Sequence, residues 1–218
     1  INTDFVQMAL IFGVSLLIIP LVILAAGGFS QISLGFHGIE LVSGIFDPAV
    51  AFSLGIVTSI GLLAGALSDQ QYWQRTFAIK KKDLRKAFIF GASLFGIVPI
   101  GLSVLGFLAA NPSLAIQLPT GVDVSMIGVQ TVAQLLPSWA VLLFVIALLA
   151  GLSSTLDSGL MAASSLWVVD VSKSKRPIFA ARIAMIGITI LGLGIAYAVE
   201  LIPNFGLFHL WWVFNTVA

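Results

Sequence analysis

Long apolar stretches separated by short polar segments make up most of this 218-residue sequence. A bilayer core about 30 Å thick needs roughly 20 apolar residues in each helical span, and five stretches reach that length. The pattern predicts membrane-spanning helices at residues 5–28, 48–76, 84–110, 137–170 and 178–201, and the start of another at residues 207–218. The predicted fold class is therefore all-α, a polytopic transmembrane helical bundle forming one transmembrane domain over residues 1–218.

Positive charge is confined to two short windows. All ten Lys and Arg residues fall within residues 75–86 and 173–182. Cytoplasmic loops of membrane proteins retain Lys and Arg while translocated loops lack them, so both windows are predicted to be cytoplasmic. The first span then runs from inside to outside and the later spans alternate. The two predicted outer connections, residues 29–47 and 111–136, contain no Lys or Arg, as this orientation requires.

Composition excludes several other classes of protein. Hydrophobic residues make up 59% of the chain and charged residues 9%, far from the roughly one quarter of charged residues in a soluble domain. The basic residues lie in loops rather than along a binding face, so no nucleic-acid partner is expected. The chain has no Cys, nucleophile–base pairing or phosphate loop, so neither an enzyme nor a cofactor is predicted. Because the sequence opens without Met and closes in an apolar segment, it reads as an internal piece of a longer protein.

The second span contains small and polar residues that a purely structural helix does not need. Gly55, Gly61 and Gly65 lead towards a polar end, and this pattern favours local unwinding where backbone groups become available to a solute or a neighbouring helix. The candidate substrate-binding residues are Gly61, Gly65, Ser68, Asp69 and Gln70. Close packing of small residues between helices is the alternative, and it stays open for each glycine.

The fourth span is interrupted by hydroxyls and one carboxylate. Ser154, Asp157, Ser158, Met161 and Ser165 recur at helical spacing and are predicted to share one face. Hydroxyls in membrane helices often bond to a carbonyl one turn back. An ionisable residue inside a span is costly unless it faces water, a partner or an ion, so Asp157 is a functional-site candidate. These oxygen donors suit a small alkali cation and suggest a sodium site, with a water cavity as the alternative.

The second outer connection carries a weaker periodic pattern. Val124, Ile127, Val132 and Leu135 follow near-helical intervals. The segment is too short to cross a bilayer. It is predicted to form a short amphipathic helix rather than another span.

Three motifs carry a resemblance to a known family. Thr3-Asp4-Phe5-Val6-Gln7 opens the first span, Asp69-Gln70-x-x-x-Gln74-Arg75 ends the second, and Ser154-Thr155 lies fifteen residues before Asp170 in the fourth. In this order, and on these sides of the membrane, they resemble the sodium:solute symporter family, which includes sodium/glucose, sodium/proline and sodium/iodide carriers. The resemblance covers essentially the whole chain.

The resemblance implies a ten-helix core of two inverted five-helix repeats, to which this chain contributes the fifth through ninth helices and the start of the tenth. It also implies a sodium ion between the first and eighth helices, held by the Ser154 and Thr155 hydroxyls and the Gly151 carbonyl. Ser153 competes if the alignment slips by one residue. The candidate sodium set is therefore Gly151, Ser153, Ser154, Thr155, Asp157 and Ser158, where Asp157 could supply a second cation or proton site.

A carboxylate of the first span is also matched to a family role. Asp4 corresponds to an acidic residue near the cytoplasmic mouth that the family is thought to use during sodium release. The alternative is a helix N-terminal carboxylate favoured by the helix dipole. Both interpretations stay open at this point.

The sequence departs from the sugar carriers of the family. Gly65 stands where they place an aromatic gate, and Phe95 stands where they place a sugar-binding Lys. A hexose substrate is therefore not expected. The run from Asp69 to Arg75 looks more like the urea and polyamine branch, although Tyr72 and Trp73 also fit an interfacial aromatic belt.

These observations predict a sodium-coupled secondary transporter of a small organic solute that works by alternating access. Its partners are the solute, the sodium ion and the lipid bilayer, and Na⁺ acts as coupling ion with no further cofactor. The expected location is the cytoplasmic membrane of a bacterium or archaeon, as a multi-pass protein. Two alternatives remain: a symporter-like sensor module of a histidine kinase, and a sodium-independent channel or uniporter.

Overall fold

The structure is a computed structural model that describes residues 2–36, 47–120 and 122–202. Within these ranges every regular element is helical and no strand occurs. The predicted all-α fold class is confirmed. The predicted start of a further span at residues 207–218 lies outside the described residues.

Nine α-helices follow one another along the described chain, joined in places by short 3₁₀ or π segments. They are α1 Asn2–Ala26, α2 Ser30–Gly35, α3 Pro48–Val50, α4 Thr58–Ser68, α5 Gln70–Ala78, α6 Leu84–Ala109, α7 Ile127–Leu135, α8 Ser138–Leu166 and α9 Pro177–Glu200. A π-helix, Ala51–Val57, joins α3 to α4, and a second, Trp167–Ser172, extends α8.

Five of these helical segments are long and apolar enough to cross a membrane. They are Thr3–Ala26, Ala51–Ser68, Leu84–Ala109, Ser138–Ser172 and Pro177–Val199. Their outer surfaces are apolar, and large side chains such as Leu24 and Leu193 are about two thirds or more exposed. Such surfaces fit lipid rather than water, and the backbone polar groups are satisfied within each helix, as a bilayer requires. The chain is therefore a polytopic helical bundle.

The second predicted span, residues 48–76, is not one regular helix. The π-helix around Gly55 is accompanied by a hydrogen bond from Thr58 Oγ1 to the carbonyl of Ser53 at 3.1 Å, five residues back. The helix then ends at Ser68 because Asp69 is extended, with φ −78° and ψ 117°. Of the three glycines along which unwinding was expected, Gly55 lies in the π-helix, whereas Gly61 and Gly65 lie inside the regular helix α4.

The described chain forms two compact units. One comprises Ile1–Phe52 with Arg85–Ser154, and the other comprises Ser53–Leu84 with Thr155–Ala218. The boundary within the fourth span falls inside the continuous helix α8. Each unit is described separately below.

The core of the first unit lies along one face of α1. Val14, Ile18 and Val22 recur every four residues and are buried, Ile18 and Val22 completely. Spacing of four places side chains above one another on a helix, so they form a continuous apolar stripe. The stripe packs with buried residues of α6, α7 and α8, which are Leu105, Leu108, Val132, Ala140, Phe144 and Ala147.

A buried polar cluster closes the end of α6 in the first unit. Asn111, 2% exposed, donates from Nδ2 to the carbonyl and to Oε1 of Gln31, at 3.0 and 2.8 Å. Its Oδ1 accepts from the backbone N–H of Ser113 at 2.9 Å. Both ends of the amide are therefore satisfied, as burial requires. Nearby, Phe36 and Phe107 meet edge to face with ring centroids 4.7 Å apart.

The short helix predicted in the second outer connection is present. A 3₁₀ turn, Val124–Met126, leads into α7, and Val132 is fully buried. The buried hydroxyl of Thr131 donates to the carbonyls of Ile127 and Leu105, at 2.8 and 3.3 Å. This second bond ties α7 to α6, so the helix is part of the packed first unit.

Candidate functional site

The polar segment of the fourth span lies on an uninterrupted stretch of α8. Successive residues of an α-helix are about 100° apart, so Gly151, Ser154 and Thr155 lie within one sector of roughly 100°. A Cβ added to Gly151 would lie 3.6 Å from Cδ1 of Ile11, so this glycine faces α1 within the first unit. Ser154 is partly buried and Thr155 is exposed. The sequence thus places two hydroxyls and one glycine on a common strip of the helix.

Ser153 points elsewhere on the helix. It follows Gly151 by two residues, which is about 200° of rotation and the opposite side of α8. Its hydroxyl donates to the carbonyl of Leu149 at 2.8 Å, one turn back, the usual arrangement of a hydroxyl in a membrane helix. This geometry favours Ser154 and Thr155 over Ser153 as a pair that acts with Gly151.

The carbonyl of Gly151 remains in the helical ladder. Because α8 is continuous from Ser138 to Leu166, this oxygen is placed to accept the N–H four residues later. An ion held by Gly151 would have to share this oxygen with the interactions that it already makes within the described structure.

Two serines of the predicted polar face contact α5 within the second unit. Arg75 Nη2 donates to Ser158 Oγ at 3.0 Å, and Gln74 Nε2 donates to Ser165 Oγ. Between these turns Gly159 lies against α5, since an added Cβ would be 3.8 Å from Nε2 of Gln71. Small and hydroxyl residues on α8 thus allow a close approach of α5.

These contacts make some of the predicted sodium ligands less favourable than others. A guanidinium at 3.0 Å makes Ser158 the least favourable of the candidate hydroxyls for a cation, because the two positive charges would share one oxygen. Asp157 and Met161, predicted on the same face, are exposed. Gln74 and Arg75 belong to the motif of the second span. Their hydrogen-bond partners on α8 lie 91 and 83 positions further along the chain, respectively, and a single sequence gives no sign of such a pairing.

We expect the Gln74–Ser165 contact to stabilise the second unit by about 0.5–1.5 kcal/mol, the usual range for a hydrogen bond between membrane helices. A double-mutant cycle with Gln74→Ala and Ser165→Ala, measured by reversible unfolding of the reconstituted protein, gives this coupling energy directly. Ser93→Ala is the matched control in place of Ser165→Ala, since Ser93 donates only to the carbonyl of Ile89 in its own helix. Strict additivity of the Gln74 and Ser165 changes would contradict the contact.

The predicted substrate-binding residues occupy one end of α4 and its junction with α5. Ser68 Oγ donates to the carbonyl of Gly65 at 3.1 Å. Asp69 accepts from the N–H of Gln71 at 2.8 Å and so caps α5, whose first residue is Gln70. The structure gives Asp69 a local role in ending one helix and starting the next. A role in substrate binding stays a prediction for all five residues.

The motif of the first span lies at the start of α1. Asp4 is exposed in the first helical turn, where a carboxylate is favoured by the helix dipole. Three residues further on, Gln7 has a buried Oε1 without a hydrogen-bond partner among the described residues. A buried oxygen without a hydrogen bond is destabilising, so the packing of the described residues around Gln7 leaves one polar atom unsatisfied. Sequence reasoning included Gln7 in the motif and gave it no role.

Length, composition and helical architecture together define an integral, multi-pass membrane protein. A family model described as the sodium:solute symporter family matches residues 1–201. The chain belongs to the sodium:solute symporter family. This is a family of sodium-coupled solute carriers rather than of enzymes, and solute and sodium are its binding partners. Comparison with curated proteins and with solved structures gives no match.

Proposed function

We propose that the full-length protein carries a small organic solute together with sodium by alternating access, and that α8 supplies the sodium ligands. The observation that carries this proposal is the strip formed by Gly151, Ser154 and Thr155 on an unbroken membrane-spanning helix of a chain in this family. Sodium is a hard cation that prefers oxygen ligands, and the strip offers two hydroxyls and a carbonyl.

The proposed sodium ion needs ligands beyond α8. A small cation takes several oxygens, and three from one helix leave further positions to be filled. In the ten-helix core implied by the family, the first helix of the core would face α8 and supply them. Ser153, Asp157 and Ser158 complete the candidate set as outer or alternative ligands, and Asp4 would assist release at the cytoplasmic end. No ligand other than sodium is proposed as a cofactor.

Transport would follow the usual cycle of a symporter with a fixed central site. Sodium would favour the outward-open form by binding it more tightly than the inward-open form. Solute would enter beside the interrupted second span, near Gly61, Gly65, Ser68, Asp69 and Gln70. Each inward charge is worth about 2.3 kcal/mol per 100 mV, so one sodium could sustain a solute gradient of some tens-fold at that potential.

The test is uptake into proteoliposomes by the full-length protein, with and without an inward sodium gradient. Urea comes first, because the run from Asp69 to Arg75 resembles the urea and polyamine branch, followed by amines, amino acids and carboxylates. We expect at least one solute to accumulate about tenfold or more above the level reached when potassium replaces sodium. Collapse of the gradient with a sodium ionophore must remove the difference.

The same measurement separates the two alternatives. Solute flux of equal size with and without the sodium gradient would replace the symporter with a channel or uniporter. Absence of flux for every solute, in a protein that binds sodium and remains folded, would favour a sensor module. We also propose that the protein works in the cytoplasmic membrane of a bacterium or archaeon.

A further inference from the structure

A cavity of about 320 Å³ lies at the start of α9 within the second unit. It is lined by Arg176, Pro177, Ile178, Phe179 and Arg182. Two basic residues thus line, together with apolar ones, a space within the size range of small-molecule sites, about 300–1,000 Å³. Both arginines are exposed, so the cavity is open to its surroundings.

Neither arginine of the cavity is neutralised by the described protein. Arg176 and Arg182 form no ion pair within residues 2–36, 47–120 and 122–202. Asp170, on the preceding π-helix, does not line the cavity. Two positive charges that share a cavity without a carboxylate repel each other, and an anion between them relieves that repulsion. The arginine fork is also well matched to phosphate oxygens.

The backbone adds donors at the same place. Arg176 is the N-cap residue of α9, and no side chain caps the helix. The first N–H groups of a helix have no partner inside it, and Ile178 and Phe179 belong to this first turn. The dipole of a 24-residue helix favours negative charge there. Basic side chains and backbone donors therefore lie at the same end of α9.

The apolar part of the cavity points to lipid. Ile178 and Phe179 are 72% and 63% exposed at the first turn of a membrane-spanning helix. This turn adjoins a basic loop, so it lies at headgroup depth on the predicted cytoplasmic side. The glycerol and upper acyl chains of a phospholipid whose phosphate lies near the arginines would contact these side chains, whereas a free anion would make no use of them. Basic pockets at this depth are known to suit anionic headgroups.

We propose that this cavity binds the phosphate headgroup of an anionic phospholipid, with Arg176 and Arg182 on the phosphate and Ile178 and Phe179 along the glycerol and upper acyl chains. The site is separate from the proposed sodium and solute sites, and lipid retention does not require transport. It would give α9 a fixed depth in the cytoplasmic leaflet.

The experiment is lipid binding to the full-length protein in neutral detergent, counted by native mass spectrometry during titration with phosphatidylglycerol or phosphatidylcholine. We expect the highest-affinity phosphatidylglycerol to bind roughly tenfold or more tightly than phosphatidylcholine. Arg176→Gln with Arg182→Gln should weaken it by about 10–30-fold, because each basic side chain at an anionic surface contributes about fivefold. Lys173 and Lys175 remain, so the loop keeps its cytoplasmic charge.

Two controls separate the site from general attraction. Lys80→Gln with Lys81→Gln removes the same charge from the other basic loop, outside the cavity, and should leave the tight phosphatidylglycerol unchanged within twofold. Arg176→Lys with Arg182→Lys keeps the charge, guards against loss of folding and should show an intermediate affinity, because the guanidinium fork is lost.

Three results would overturn the proposal. One is an equal loss of phosphatidylglycerol in the arginine and lysine variants, which means diffuse electrostatic attraction. A second is unchanged binding in the Arg176→Gln, Arg182→Gln protein. A third is sn-glycerol 3-phosphate binding as tightly as phosphatidylglycerol, which would make this a site for a soluble anion.

Discussion

Replacing both Ser154 and Thr155 with alanine in the full-length protein is expected to abolish sodium-driven uptake while leaving the fold intact. The change removes two of the proposed oxygen ligands, and an interaction between a hydroxyl and a charged group contributes roughly 1.5–3 kcal/mol. We therefore expect sodium affinity to fall on the order of 100-fold or more. Alanine is the best helix former, and Ser154 and Thr155 are not buried in the described structure, so stability should change little.

The measurement is the sodium dependence of uptake in proteoliposomes, with the amount of folded protein determined for each variant. Ser153→Ala is the matched control, since it removes one hydroxyl from the neighbouring position on the opposite side of α8. It should change the sodium dependence by less than about twofold, the effect of losing a weak back-bond. If Ser153→Ala removed sodium dependence and the double variant kept it, the ligands would shift by one residue along the helix.

The second large effect is expected from Gly35→Ala, which should strongly destabilise the first unit. Gly35 is buried at the end of α2, and an added Cβ would overlap the carbonyl oxygen and carbon of Phe107. The obstruction is backbone of a membrane-spanning helix, which no side-chain rotation can relieve. Overpacking of a close contact costs about 1–3 kcal/mol, and a backbone clash belongs at or above the top of that range.

Gly106→Ala is the control for this prediction. Gly106 adjoins Phe107 in the same helix, yet an added Cβ there meets nothing within 4 Å. Thermal unfolding in detergent and the yield of monodisperse protein would compare the two variants with the natural sequence. We expect a clear fall in Tm or yield for Gly35→Ala and near-natural values for Gly106→Ala. Equal behaviour of the two would mean that α2 does not pack closely against α6.

Elements decided by long apolar runs were predictable from the sequence. The membrane-spanning lengths of α1, α6, α8 and α9 follow from hydropathy because a bilayer imposes about 20 apolar residues per span. The short α7 was predictable for a related reason, since four apolar residues at helical intervals in a polar connection indicate one buried face. Family membership was also indicated by three motifs and is established by the match over residues 1–201.

Local unwinding of the second span was predicted along its glycines, but the break occurs at Asp69, where the sequence also carried a signal. Asp is a strong helix N-cap, and it precedes Gln70 at the start of α5. A count of apolar residues over 48–76 does not show that Asp69 ends one helix and starts the next. The π segments and the contacts of Gln74 and Arg75 with α8 depend on tertiary packing, which a single sequence does not reveal. The sodium and substrate residues stay predictions.

The junction between α4 and α5 has a consequence for the order of folding. Asp69 N–H bonds to the carbonyl of Gly65 at 2.9 Å, its carboxylate caps Gln71, and the indole of Trp73 donates to the carbonyl of Leu67 at 2.9 Å. The two residues of each bonded pair are at most six positions apart, so closing these contacts costs little chain entropy. The bend can form as soon as this segment leaves the ribosome, before its distant partner Ser158 is synthesised. The bend between α4 and α5 directs Arg75 towards α8, and because its contacts are local it can form early in membrane insertion.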